Sequence, residues 1–190
     1  MAKVLLLNEG AEERLLYEKL CALGYHVVAC LREKHRLLGE VQRLHPDIVI
    51  VTTEAPDDAT FVSLGAVATA CPLPVLIFAK CGTRELIRKA VDSGVAAYVV
   101  DGWAPDRITP IIEAATARFE AYEGLRKELA SAQAKLTERK LVEKAKGIVM
   151  QQRKLTEDQA YTALRKMAMD QNLALSEVAR RVIAVAQLLA

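Results

Sequence analysis

The chain has 190 residues, of which 52% are apolar and 26% charged. That balance excludes a disordered chain and leaves room for one ordinary domain plus a smaller unit. The formal net charge of +2 points to no partner by itself, and no apolar run approaches the ~18 residues of a membrane span.

Met1, Ala2 and Lys3 lead directly into "VLLL" at 4–7, too short a run for a signal peptide, so a cytoplasmic protein is expected. Apolar runs then recur at 26–30 ("HVVAC"), 47–51 ("DIVIV"), 74–79 ("PVLIFA") and 97–100 ("AYVV"). Between them 12–23, 33–44, 59–70 and 84–91 carry helical spacing. Short doubly apolar strands alternating with helices predict an α/β fold, a doubly wound five-stranded parallel sheet covered on both faces. The cysteines Cys21, Cys30, Cys71 and Cys81 form no CxxC pair and lie away from ligand spacing with His26, His35 and His45. They read as buried, reduced thiols, and no metal site is expected.

All six prolines and seven of the nine glycines lie at or before Pro110, so the remainder reads as long helix. Ile108, Ile111, Ala115, Tyr122, Leu125, Leu129, Ala132 and Leu136 fall near heptad positions. The run predicts a coiled-coil linker helix over 108–136 with a seam for a partner helix; folding back on its own domain is the alternative. Residues 135–190 then break into three helices. The first carries Leu141, Ala145, Ile148, Val149 and Gln152 on one side. Thr156 and Gln159 are spaced as a capping box, with Glu157 and Asp158 on the positive end of the helix dipole. The second helix packs Ala160, Leu164 and either Met167 or Ala168. The third starts near Ser176, with Val178, Val182, Val185 and Leu189 inward. Residues 1–110 hold 12 basic against 14 acidic groups and 111–190 hold 14 against 10, so a polyanion would meet the C-terminal part more readily.

Residues 1–118 resemble the CheY-like receiver domain of response regulators, through "PDIVIVTTEAP" (46–56), "PVLIFA" and "GVAAYVVDGW" (94–103). That resemblance implies a phosphorylation site made of an acidic pair for Mg²⁺, an acceptor aspartate, a hydroxyl and a lysine. Here Asn8 and Glu9 stand at the acidic pair, Thr52 at the aspartate, Ala79 at the hydroxyl and Asp101 at the lysine. A neutral threonine hydroxyl cannot serve as an acyl-phosphate acceptor, so the expectation is a pseudoreceiver that takes no phosphoryl group. Glu9, Glu54 and Asp101 could instead cluster around a cation, against the plainer reading of solvated strand ends. No catalytic set is recognisable, and neither an enzyme nor a cofactor is expected.

"ERKLVEKAKGIVM" (138–150) and "EDQAYTALRKMAM" (157–169) resemble the ANTAR domain of the AmiR and NasR family of antitermination regulators. The layout looks closest to NasT-like regulators of nitrate assimilation, which often retain an aspartate where Thr52 stands here. The resemblance implies a small all-α three-helix bundle over 135–190 that binds paired stem-loops in leader transcripts. It also implies a homodimer through the coiled coil and control by a NasS-like ligand-sensing partner. Arg139, Lys146 and Arg153 lie seven apart on one helix face, flanked by Lys140, Lys144 and Lys154. Tyr161 and Arg165 are i,i+4 neighbours, with Lys166 beside them. Cations anchor phosphates, while a ring and a guanidinium stack on unpaired bases. The expected RNA-binding set is Arg139, Lys140, Lys144, Ala145, Lys146, Gly147, Arg153, Tyr161, Arg165 and Lys166. A solvated charged face is the plainer reading of the cations, and Tyr161 serves equally as core. Gly147 in mid-helix costs ~1 kcal/mol relative to Ala and suggests a close approach, by a helix or by RNA. A DNA-binding output domain and a protein-interaction adaptor are the rival functions; Arg180 and Arg181, as the only basic residues of the third helix, make it a poor reader of DNA.

Overall fold

The computed structural model describes residues 1–9 and 13–188, with the side chains of 13 and 188 left aside. It divides into two compact units, Met1–Glu123 and Gly124–Ala190.

The first unit is a five-stranded, all-parallel sheet in the order β2-β1-β3-β4-β5. Its strands are β1 (Lys3–Asn8), β2 (His26–Leu31), β3 (Ile48–Thr53), β4 (Val75–Ala79) and β5 (Ala97–Val99). Helices α1 (Glu13–Ala22), α2 (Leu37–Leu44), α3 (Asp58–Ala70) and α4 (Arg84–Asp92) connect them, and α5 (Ile108–Arg153) follows. The central strands are apolar on both faces because both are covered. Leu5, Leu7, Val49, Val51, Val75 and Ile77 turn to one side, against Leu37, Val41, Phe61, Leu64 and Val67 of α2 and α3. Val4, Leu6, Ile48, Ile50, Leu76 and Phe78 turn to the other, against Leu16 and Leu20 of α1 and Ile108, Ile112 and Ala115 of α5. Burying each such side chain contributes about 1.5–3 kcal/mol, which makes the alternation of the strands the main determinant of this unit. Gly94 lies at φ +81, and a Cβ there would meet that of Ala68 at 2.8 Å; the turn into β5 therefore demands glycine.

The helix expected over 33–44 is a 3₁₀ turn at Lys34–Arg36 followed by α2. The first predicted helix begins at Glu13, and its expected start at residue 12 lies outside the described residues. Three of the four cysteines are exposed and Cys71 is half-buried, which corrects the expectation of buried thiols. Cys21 occupies the outer side of α1, Cys30 the edge strand β2, and Cys81 the loop after β4. The heptad positions also divide. Ile108 and Ala115 are buried against the sheet together with Ile112, a residue outside the predicted seam. Tyr122, Leu125, Leu129 and Leu136 are exposed.

In the second unit the end of α5 packs with α6 (Glu157–Asp170) and α7 (Leu175–Leu188). Its core is Ala145, Leu164, Ala168, Val178, Ala179 and Ile183, with Leu141, Ile148, Val149 and Val182 against it. Thr156 closes the expected capping box: its hydroxyl accepts from Gln159 N–H, and Gln159 Oε1 accepts from Thr156 N–H. Ala168 takes the core place offered to Met167 or Ala168. Gln152 is exposed. On α7 the buried stripe runs through Val178, Ala179, Val182 and Ile183, so Val185 is left 55% exposed. The apolar face is thus rotated from the predicted one, since α7 packs the adjacent columns of Val178 and Val182 and of Ala179 and Ile183 against the bundle. Leu189 lies outside the described residues.

Candidate nucleic-acid interface

The strand ends of the first unit carry Asn8, Glu9, Thr52, Ala79 and Asp101, the residues expected at an altered phosphorylation site, and the register β1–β3 brings Asn8 opposite Thr52. The Thr52 hydroxyl donates to Asn8 Oδ1 at 2.6 Å. Ala79 is fully buried at the end of β4, and Asp101 sits exposed in a left-handed turn at φ 69. Beside them Lys34, just past β2, donates to both carboxylate oxygens of Asp57 at 2.7 Å. Its ammonium also lies 3.3 Å from Glu9 Oε1. Asp57 caps α3, accepting from the backbone N–H and the hydroxyl of Thr60, each at 2.8 Å. The Lys34 ammonium first, and then these Thr60 donors, hold the Asp57 carboxyl down at about 2. Glu54 pairs with Lys80 at 3.0 Å. Glu9 and Glu54 therefore face cations rather than one another. Among the described residues no group of three or more His, Cys, Asp or Glu is placed to hold a metal ion.

The second unit arranges its basic groups in two ways. Lys146 is 8% exposed and its ammonium lies 2.6 Å from Glu143 and 2.7 Å from Glu157. Glu143 first, then Glu157, raise its pKa above the ordinary lysine value. This lysine is a tie between α5 and the first turn of α6, with its charge already matched. Ala145 is fully buried in the bundle core and offers no surface. The other expected residues Arg139, Lys140, Lys144, Gly147, Arg153, Arg165 and Lys166 are exposed, and Tyr161 is 43% exposed. A Cβ on Gly147 would meet nothing within 4 Å, so no helix of the bundle requires that glycine.

Sevenfold spacing puts Arg139, Lys146 and Arg153 on one stripe of α5, of which Arg139 and Arg153 are exposed and Lys146 is buried. At Lys146 that stripe turns towards the bundle core, which the spacing cannot reveal. Met169 is strongly exposed one turn beyond Arg165 and extends the Tyr161–Arg165 stripe of α6. Sequence reasoning passed over it because a methionine at helical spacing reads as core. Individually the exposed groups offer cationic hydrogen-bond donors on α5 and α6, and on α6 also an aromatic ring and thioethers.

A family profile described as the ANTAR domain matches residues 130–183. The transcriptional regulatory protein PdtaR of Mycobacterium tuberculosis (strain H37Rv) is 30% identical over 183 residues, covering 95% of this chain and 89% of that protein. The nitrate regulatory protein of Klebsiella oxytoca is 50% identical over 58 residues, 30% of this chain and 15% of that protein. Among solved structures, the receiver domain of a modulated diguanylate cyclase from Desulfovibrio desulfuricans G20 superposes with a TM-score of 0.57 at 22% identity, over 64% of this chain and 98% of that one. A CheY-like receiver domain protein from Methanospirillum hungatei JF-1 gives 0.56 at 14%, with the same coverage. At those identities the structural likeness carries the fold of the sheet unit and nothing more.

Proposed function

This chain belongs to the family of ANTAR-domain transcriptional regulatory proteins with a receiver-like sheet unit, and we propose that within it the chain is an RNA-binding antiterminator. Its bundle grips paired stem-loops of a leader transcript and keeps the terminator hairpin from forming. The observation that carries this is the exposed Tyr161–Arg165 pair on α6, with Lys166 beside it and Lys140, Lys144 and Arg153 exposed on α5. A ring and a guanidinium one turn apart suit unpaired bases, and the cations suit the phosphates around them.

Two weak loop contacts gain avidity when two bundles are joined, and the exposed seam of α5 supports self-association. Control comes from a ligand-sensing protein partner rather than from phosphorylation: Thr52 is no acceptor, and the neighbouring carboxylates are already met by lysines. The partial match to a nitrate regulatory protein favours nitrate or nitrite assimilation genes as targets.

Fluorescence anisotropy tests the reading, with a labelled tandem stem-loop RNA and a duplex DNA at one salt concentration. Salt-sensitive binding of the RNA in preference to the duplex is expected. Equal affinity for the two would favour a DNA-binding regulator, and binding to neither would leave a protein-interaction adaptor.

A further inference from the structure

Tyr122, Leu125, Leu129 and Leu136 stand on α5 between 55% and 66% exposed. With the exposed Ala132 they follow intervals of three and four residues. Positions a, d, a, d and a of a heptad frame thus fall at 122, 125, 129, 132 and 136, and Arg139 takes the next d. The frame fixes the flanks as well. Glu128 and Lys135 occupy g positions, and Arg126, Gln133 and Lys140 occupy e positions. Four residues to either side of Glu128 lie Gly124 and Ala132, and of Lys135 Ser131 and Arg139. Neither charge therefore has an opposite partner four residues away in its own helix, and three residues away only Lys135 has one, Glu138.

Orientation decides what these charges meet. In a parallel pair each g faces the e of the next heptad of the second copy. Lys135 would then face Lys140 twice, Glu128 would face Gln133, and the two Arg139 side chains would share a layer. In an antiparallel pair g faces g and a faces d. Glu128 then meets Lys135 of the second copy twice, and Leu125 meets Leu136 twice. Leu129 meets Ala132 twice, so large and small residues alternate across the centre. The Tyr122 ring meets the Arg139 guanidinium at each end, a cation–π arrangement.

We infer that the seam of α5 pairs with a second copy of this chain in antiparallel register, centred between Leu129 and Ala132. This rests on the proposed self-association and adds its orientation. The two ANTAR bundles then leave from opposite ends of a seam about 26 Å long at 1.5 Å per residue.

Charge reversal separates the orientations in the full-length protein, read by sedimentation equilibrium. Glu128→Lys and Lys135→Glu each set like charges face to face twice in the antiparallel pair, raising the dimer Kd about tenfold. The combined variant restores the two contacts with their signs exchanged and returns the Kd close to that of the parent. A parallel pair predicts otherwise: Glu128→Lys leaves the Kd unchanged, Lys135→Glu tightens the dimer by relieving Lys135 against Lys140, and this result overturns the inference. A parent protein that stays monomeric across the whole concentration range defeats self-association itself, a different failure. Unchanged circular-dichroism melts keep all three variants comparable, since both positions are exposed.

Discussion

Lys34 in the sheet unit and Lys146 in the bundle each stand between two carboxylates, yet the two ties have different consequences. Lys34 joins Glu9 at the end of β1 to Asp57 at the cap of α3, so it ties a strand end to the start of a helix within the sheet unit. Lys146 joins Glu143 to Glu157 across the turn between α5 and α6, and is the more enclosed of the two at 11% side-chain exposure against 28%. It sets the first turn of α6, four residues ahead of Tyr161. One tie joins a strand end to a helix cap, and the other joins two helices across a turn. A count of basic residues would have treated the two alike.

The largest expected effect follows from reversing the unmatched charge. Lys140→Glu combined with Lys144→Glu should weaken stem-loop binding at least tenfold and flatten the salt dependence by about two counterions, leaving the melting temperature unchanged. Lys146→Met probes the opposite case. It should lower the melting temperature of the bundle, while the slope of log Kd against log salt stays as in the parent, because this lysine meets carboxylates and not phosphate. A slope reduced by one would make Lys146 a phosphate contact. Gly147→Ala comes next: with open space around the glycine it should stabilise the bundle by about 0.5–1 kcal/mol. RNA affinity falls in the same variant if the transcript approaches α5 there.

The tie of the sheet unit is sharpened by acid. Asp57 titrates at about 2 in the folded chain against an ordinary 3.8. Its contribution to stability is thus complete above the ordinary value and is lost as pH falls through the folded one. Lys34→Met should reduce the loss of stability between those two pH values, as followed by urea denaturation. Thr52→Asp should change least: no phosphoryl group is taken from acetyl phosphate, because Asn8, Ala79 and Asp101 still withhold the rest of the chemistry.

How much of this was legible in the sequence depended on which property the residues expressed. Doubly apolar strands such as "VLLL" and "DIVIV" announce a covered parallel sheet, and the Thr156–Gln159 spacing announces a capping box, since both are local patterns with one low-energy solution. The split of the seam was hidden. Ile108 and Ala115 obey the same period as Leu125 and Leu129, and only the sheet shows which of them already have a partner. Lys146 was hidden for a similar reason, since its carboxylate Glu157 lies eleven residues away across a turn. Cys30 and Cys81 were misjudged from residue type alone, with no account taken of an edge strand and a loop.

The central claim is that Tyr161 and Arg165 present an open stacking face to unpaired bases beside cations that hold phosphate. Its most direct test is a pair of anisotropy titrations, one with a tandem stem-loop RNA and one with the same helices closed by covalent linkers in place of loops. The account predicts that affinity drops at least tenfold without the loop bases, about one stacked base by alanine-substitution energies of 1–3 kcal/mol, and that Tyr161→Ala abolishes the difference. Equal affinity for the loop-less helices, in the parent protein, would contradict it.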